Sequence, residues 1–483
     1  MRKKMKLLTG MLLCMSATSL VSCAIDGFDE EEFIPSVTNT TMESPSAEDI
    51  TVTSSADGKS QTITWPVVHG AGGFSVSFWN ADTPETPIVT DSIVDGCSVT
   101  VPREEDMNYV FSIKTLGNAT ANNSDAETAT EYAFTTFMPA TAIIPAGTDI
   151  YEWSQTADIQ TLLQTPTTET LIFDLEAGGQ YTLSNIVDFG YNKIILRTAN
   201  KSNWATIAYA NGASIRFGGG FILRYMNIDG NETTDPILGM SETPNEAILG
   251  PNSHYIITDP VTIQNCHVYN VQRQFLHDTK KKYCIASFLM ENVKVDFTTD
   301  AGMSSGSYFL FYDGGGFIND FTLRACTFSN SVNKDGNLYE SRYFLRYNNS
   351  GRCDRAGFTT NSINMYNCTF YNIAKSGQMA NHGGFDGRKT SKYEILNNIF
   401  VDCGGNQVPR RIVGRVGDAA LTIFNNNTYW FDGAAETGNT SYDNGYQLQS
   451  DPAFVDAANG NFTPTGAEQV SMQTGDPRWF AAE

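Results

Sequence analysis

Positive charge is scarce in this chain: 31 Lys and Arg stand against 53 Asp and Glu in 483 residues, a net of −22 with a pI near 4.6. That balance argues against nucleic acid as a partner, because phosphate backbones are held by cationic faces. There are five histidines, and the nine cysteines contain no CxxC pair, so no zinc-site spacing is present. Seven of the cysteines follow residue 23; an odd number gives no complete disulfide framework, and buried free thiols are the expected state. The pairing of Cys284, Cys353 and Cys403 is not fixed by their spacing. Apolar runs are also short, the one at the N-terminus included, which excludes a confident membrane-spanning helix there. What remains is 41% hydrophobic and 12% aromatic, enough for a large core and more than one domain.

Arg2, Lys3, Lys4 and Lys6 precede the apolar run LLTGMLLCMSATSL, which leads into Leu20-Val21-Ser22-Cys23. A basic start, a short apolar stretch and small residues before a cleavage point describe a secretory signal over residues 1–23. Leu-Val-Ser-Cys resembles the bacterial lipobox, which implies lipidation of Cys23 and anchoring in the outer membrane. Asp26, Asp29, Glu30, Glu31 and Glu32 resemble the acidic tag of Bacteroidetes lipoproteins carried to the outer face; a solvated linker is the plainer alternative. Residues 24–46 have the composition of a tether.

Over residues 47–138 short alternating segments separated by turns (QTITWPVV, FSVSFWN, YVFSIKTLG, EYAFTTF) predict a small β-sandwich. Trp65 and Tyr109 resemble the core tryptophan and the tyrosine strand of fibronectin type III modules, which implies a spacer.

The octet FTLRACTF at 321–328 returns as INMYNCTF at 363–370, and the same pattern can be aligned seven times. Its small or apolar residue falls at Met226, Cys266, Val293, Cys326, Cys368, Asn398 and Asn426, at intervals of 40, 27, 33, 42, 30 and 28. Apolar residues sit five and three before it and two after, the last copy slipping by one to Tyr429. Alternation that changes parity midway predicts two strands meeting at a bend. The bend residue is Asn265, Asn292, Asn367, Asn397 and Asn425 in five copies, and Asn tolerates the left-handed backbone of a sharp corner. Stacked corners would let the amides bond one another, and recurring units too small to stand alone predict a solenoid.

This pattern resembles the pectate-lyase-like right-handed parallel β-helix with its asparagine ladder. The resemblance implies an all-β chain: sandwich, then β-helix over residues 145–465, opened by a capping helix in DIYEWSQTADIQTLLQ and closed by DPAFVDAANGNFTP, with a tail at 466–483. The small residues at the bend are packing.

In that family the strand before the octet carries the substrate groove. The candidates here are RQFLHD, SYFLFYD, RYFLRYN, HGGFDG and RIVGRV. With Leu276, Leu310, Leu345 and Ile412 inward, the outward residues include Arg273, Phe275 and His277; Phe309 and Phe311; Arg342, Phe344 and Arg346; His382 and Asp386; and Arg411 and Arg415. The opposite parity would bury Arg342 and Arg346 without partners. Residues 261–420 hold 18 basic and 13 acidic groups, leaving 13 basic and 40 acidic elsewhere, so one stretch of an acidic protein is positive. Arginine forks match carboxylates and aromatic rings stack on sugars, which suits an acidic, uronate-rich, pectin-like polysaccharide. Two uses follow: capture of polymer beside neighbouring glycan importers and enzymes, or lyase cleavage by β-elimination. For a lyase, Arg346 or Arg342 is the candidate base, Arg415 neutralises the uronate carboxylate, and His382 with Asp386 forms an alternative acid/base pair. No cofactor is required for binding; the lyase family's calcium needs a carboxylate cluster that the predicted face lacks. A purely structural or adhesive surface protein is the third reading.

Overall fold

The computed structural model describes residues 37–231, 233–348, 353–382, 389–414, 421–435, 443 and 446–480. Cys23 and the acidic run lie outside the described residues, as do Asp386 and Arg415. The chain divides into two units, residues 1–104 with 108–135, and residues 105–107 with 136–483.

The smaller unit has seven antiparallel strands: β1 (Thr51–Ser54), β2 (Ser60–Thr64), β3 (Ala71–Asn80), β4 (Val89–Val94), β5 (Ser98–Pro102), β6 (Asn108–Gly117) and β7 (Thr130–Thr135). They form a three-stranded sheet, β1-β2-β5, and a four-stranded sheet, β4-β3-β6-β7. Trp65, just past β2, packs 5.3 Å from Phe74 and 5.7 Å from Phe111, so its indole joins the two sheets. The Tyr109 hydroxyl accepts the Glu104 amide at 3.1 Å and fixes the corner before β6. Residues 37–46, expected as tether, are pinned here: Met42 is buried, and its amide donates to Ser124 O at 3.0 Å.

The larger unit is a stack of rungs joined by parallel ladders. Each rung contributes to three sheets, A before the octet, B up to the bend and C after it. Sheet A has seven strands: Ile186–Asp188, Ser214–Phe217, Leu238–Met240, Leu276–His277, Ser307–Tyr312, Tyr343–Tyr347 and Gln378–Asn381. Sheets B and C run continuously round the corner in the earlier rungs, as in Phe221–Asp229 and Val261–Val271, and separate later, as in Asn361–Tyr366 and Thr369–Tyr371. The register follows the aligned octets: Phe221, Val261, Phe288, Phe321, Ile363 and Tyr393 pair in succession, as do Cys266 with Val293 and Phe328 with Phe370 and Phe400. In the final copy the whole pattern moves by one residue: Thr422 rather than Leu421 pairs with Tyr393, and Phe424 with Ile395.

The corner residues adopt positive φ at Tyr225, Asn265, Asn292, Ala325, Asn367, Asn397 and Asn426. Asn426, not Asn425, therefore takes the last corner, in keeping with the shifted register. Asn292 Nδ2 donates to Asn265 Oδ1 at 2.6 Å and Asn426 Nδ2 to Asn397 Oδ1 at 3.2 Å, two segments of an amide ladder interrupted at Ala325. Inside the coil Phe328, Phe370 and Phe400 stack at 5.2 and 4.7 Å. Cys266, Cys326 and Cys368 are free and buried beside them, and Cys284, Cys353 and Cys403 are free and buried too. Burial pushes the Cys266 thiol up to about 12.

The expected capping helix is two helices, Ile150–Ser154 and Ala157–Gln164, the first started by the Asp149 side chain accepting the Tyr151 amide. At the other end the hairpin Phe454–Asp456 with Asn461–Pro464 is followed by the helix Ala467–Met472. Residues 466–480 are no loose tail: buried Asp476 accepts from the Thr327 hydroxyl at 2.8 Å, and Trp479 Nε1 donates to the same hydroxyl at 2.9 Å.

Candidate functional site

Sheet A is built on an inward column, Val187, Ile215, Leu238, Leu276, Leu310, Leu345 and Ala380, and an outward one, Asp188, Arg216, Gly239, His277, Phe311, Arg346 and Asn381. The parallel register brings His277, Phe311 and Arg346 to successive rungs about 4.8 Å apart. Arg346 lies over two rings at once, its guanidinium 5.3 Å from Phe311 and 4.9 Å from Tyr343, and Arg342 sits 5.3 Å from the same Tyr343. These cation–π contacts hold the forks against the rings. Arg342 is exposed and Arg346 half-buried; no carboxylate among the described residues pairs with either.

Several expected positions are corrected. Phe275, Phe309 and Phe344 do not face outward; all are fully buried, stacked on one another at 5.1 Å. The reason is a register shift between Ser307 and Leu310, held by the Ser307 hydroxyl donating to Leu310 O and Phe344 O, which breaks simple alternation and turns two consecutive residues inward. Tyr343 takes the position expected of Phe344. In the next rung a sheet A strand is Gln378–Asn381, with Asn381 opposite Arg346; of the expected HGGFDG only His382 is among the described residues. His382 follows the strand, 2% exposed, and burial drives its pKa down to about 3, so its ring is held neutral and away from solvent. Arg411, Ile412 and Val413 of RIVGRV are not in a strand: Val408–Val413 is helical, with Ile412 buried, and the end of the segment lies outside the described residues. Arg411 on this helix has its pKa lowered by burial first and by Arg410 second, against the pull of Tyr343.

At the other end of the face a cleft of 360 Å³ is lined by Arg216, Asp235, Glu242, Arg273, His277 and Lys280, among others. Its cations are partly spent: Arg216 pairs with Glu242, and Arg273 Nε lies 3.0 Å from Asp300. His277 Nδ1 accepts the Thr279 amide at 3.0 Å, so the neutral ring carries its proton on Nε2. Burial, with Lys280 and Arg216, lowers its pKa despite Asp313 and Asp235. His277 is thus a hydrogen-bond donor toward the cleft. Behind it, buried Asp278 accepts from the amides of Lys280 and Gly314 at 3.0 and 2.7 Å, yet burial raises its pKa to about 6.

Among the described residues no three His, Cys, Asp or Glu side chains come together to hold a metal ion. No described helix is long and apolar enough to cross a membrane.

The ladders define a parallel β-helix. Three family models match parts of the chain: a domain of unknown function at residues 2–178, a second (DUF4957) at 179–331 and a third (DUF5123) at 363–479. No curated protein matches it. Among solved structures the chain is similar to pectate lyase PelI from Erwinia chrysanthemi in complex with tetragalacturonic acid, at 8% identity over 73% of this chain and 83% of that one, TM-score 0.13. It is also similar to pectate lyase Pel3 from Pectobacterium carotovorum, at 12% identity over 58% and 84%, TM-score 0.15.

Proposed function

We propose that the protein captures acidic, uronate-rich polysaccharide on the arginine face of sheet A, as a surface lipoprotein serving glycan utilisation. One observation carries this reading: Arg342 and Arg346 both lie against Tyr343, and no carboxylate among the described residues answers either. Forks already seated on aromatic rings lose little freedom when a carboxylate arrives, so the face is prepared for repeated anionic groups. Anchoring through Cys23 rests on the lipobox-like sequence. The three-plus-four strand order, Trp65 and the Tyr109 corner support a fibronectin type III-like spacer.

Cleavage by β-elimination is the second reading, with Arg346 or Arg342, unanswered by any described carboxylate on this face, as the base. Gel retardation by polygalacturonate, run beside an assay for ultraviolet absorbance of unsaturated product, separates the two. Retardation without product is expected, weakened by salt and by Arg342→Ala or Arg346→Ala. Product that disappears in Arg346→Ala would make it a lyase, and neither signal on any uronate polymer would end both readings.

A further inference from the structure

A different cleft, of 550 Å³, lies on sheet C, where the C-terminal hairpin crosses the rungs. That volume is within the ordinary range of small-molecule sites. His267 and Lys294 stand opposite each other on adjacent rungs, and Asp296, Ser329 and Tyr371 form the neighbouring column. Asp296 joins them: its Oδ2 lies 2.8 Å from His267 Nε2 and 3.0 Å from Lys294 Nζ, and its Oδ1 accepts from the Ser329 hydroxyl at 2.6 Å. Burial acts to raise the Asp296 pKa, but His267, Lys294 and Ser329 outweigh it and the carboxyl stays below its usual range. Because Ser329 donates to Asp296 and not to His267, the group lacks the nucleophile–base contact of a hydrolase. It is a fixed hydrogen-bonding platform, with donors to spare on Lys294 and one lone-pair direction left on Asp296.

Rings flank the platform. Tyr269 lies 5.0 Å from His267, and Tyr371 lies 5.4 Å from Phe462 of the hairpin. Among the described residues Lys294 and Asp296 are the only Lys, Arg, Asp or Glu side chains lining the cleft, and their charges cancel. An anionic polymer gains nothing here that the arginine face does not offer more strongly, whereas a polyhydroxylated, uncharged ring meets both donors and an aromatic wall.

We propose that this cleft is a second carbohydrate site, taking an uncharged sugar segment that stacks on Tyr269 and Tyr371 and bonds through its hydroxyls to Lys294, His267 and Asp296. The test is calorimetric titration of the full chain with cellotriose, xylotriose, galactotriose and arabinotriose, with trigalacturonate as the charged control. At least one uncharged trisaccharide should bind with a Kd below about 1 mM, insensitive to salt. Tyr371→Ala should weaken that binding by about tenfold or more while Arg346→Ala leaves it unchanged. Tyr269→Ala, on the part-exposed ring beside His267, should weaken it in the same sense and supplies a second variant if Tyr371→Ala does not fold. No uncharged trisaccharide binding, binding that both variants leave intact, or binding lost equally in Arg346→Ala would overturn the proposal. Polygalacturonate retardation is read separately, so failure here leaves the arginine face standing, and the converse.

Discussion

Sheets A and C are raised on the same rungs, yet they treat charge in opposite ways. On sheet A the column His277, Phe311, Arg346 and Asn381 brings no acid to Arg346, which is held by rings instead. On sheet C, Lys294 has Asp296 two residues ahead on the same strand and 3.0 Å away. A parallel ladder fixes spacing and facing alike for both; what differs is whether a counter-charge occupies the adjoining column. An unopposed cation is available to an external carboxylate, while a neutralised one serves as a directional donor. Function on a β-helix is thus written in columns, and the two faces should be separable by perturbations that act on one column at a time.

The largest effect breaks both faces together. Phe370 is fully buried, 5.2 Å from Phe328, 4.7 Å from Phe400 and 5.4 Å from Phe344, whose neighbours Tyr343, Leu345 and Arg346 belong to sheet A. Phe370→Ala should cost about 3–5 kcal/mol in urea unfolding and weaken ligands of both sheets. Selective loss at one face would mean that the rungs are not mechanically shared.

Next in size are two carboxylates, Asp278 buried and Asp296 half-buried, with opposite pH signatures. Asp278, behind the sheet A cleft, has its pKa raised to about 6 by burial. Its ionisation is easier in the unfolded chain, so stability falls as pH rises from about 4 to 6, by on the order of 2–3 kcal/mol. Asp296 on sheet C is shifted down by its partners, so its contribution is present above about pH 4 and lost as pH falls through the folded pKa. Asp278→Asn should flatten the decline between pH 4 and 6, leaving the similar share of Asp443, which burial also raises to about 6. Asp296→Asn should remove part of the loss on the acid side. Parallel urea-midpoint profiles for the two variants would contradict the contrast.

How far the columns were legible in sequence follows from what each rung repeats. The octets repeat because every rung must bury the same positions and turn the same corner, so Asn265, Asn292, Asn367 and Asn397 announced the coil. Sheet A strands have no such corner, and their parity rests on local sterics. The shift at Ser307–Leu310 exchanged Tyr343 for Phe344, and a helix replaced a strand at Val408–Val413, where Pro409 near its start favours helix entry. The sheet C platform was missed for another reason. His267, Lys294 and Asp296 are ordinary polar alternates within their own strands, and only laying rungs 27 residues apart side by side sets them together. The aligned octets already contained that signal in the positions one and three after the small residue.

Removing one sheet A guanidinium sharpens the contrast more gently. Arg346→Ala should reduce polygalacturonate affinity by about tenfold, or about 1.4 kcal/mol, with a smaller salt dependence, and leave uncharged trisaccharides alone. Arg346→Lys keeps the charge but not the planar fork over Phe311 and Tyr343, so it should recover salt sensitivity without full affinity. Full recovery by Lys would show that charge alone, not the seated fork, selects the ligand.

The smallest expected effect tests the frame on which both faces hang. Ala325 holds a left-handed corner with φ of 51°, in the gap between the amide pairs Asn265–Asn292 and Asn397–Asn426. Alanine is strained there, and asparagine is the residue that neighbouring corners use. Ala325→Asn should stabilise the coil by about 0.5–1 kcal/mol, read as a higher urea midpoint, while the affinities of sheets A and C stay as they were. If stability rises and both affinities hold, the corner is a structural column independent of either ligand. A change in one affinity alone would instead couple the corner to that face, because Ala325 lies between sheet B and sheet C on the rung that carries Thr327 and Ser329.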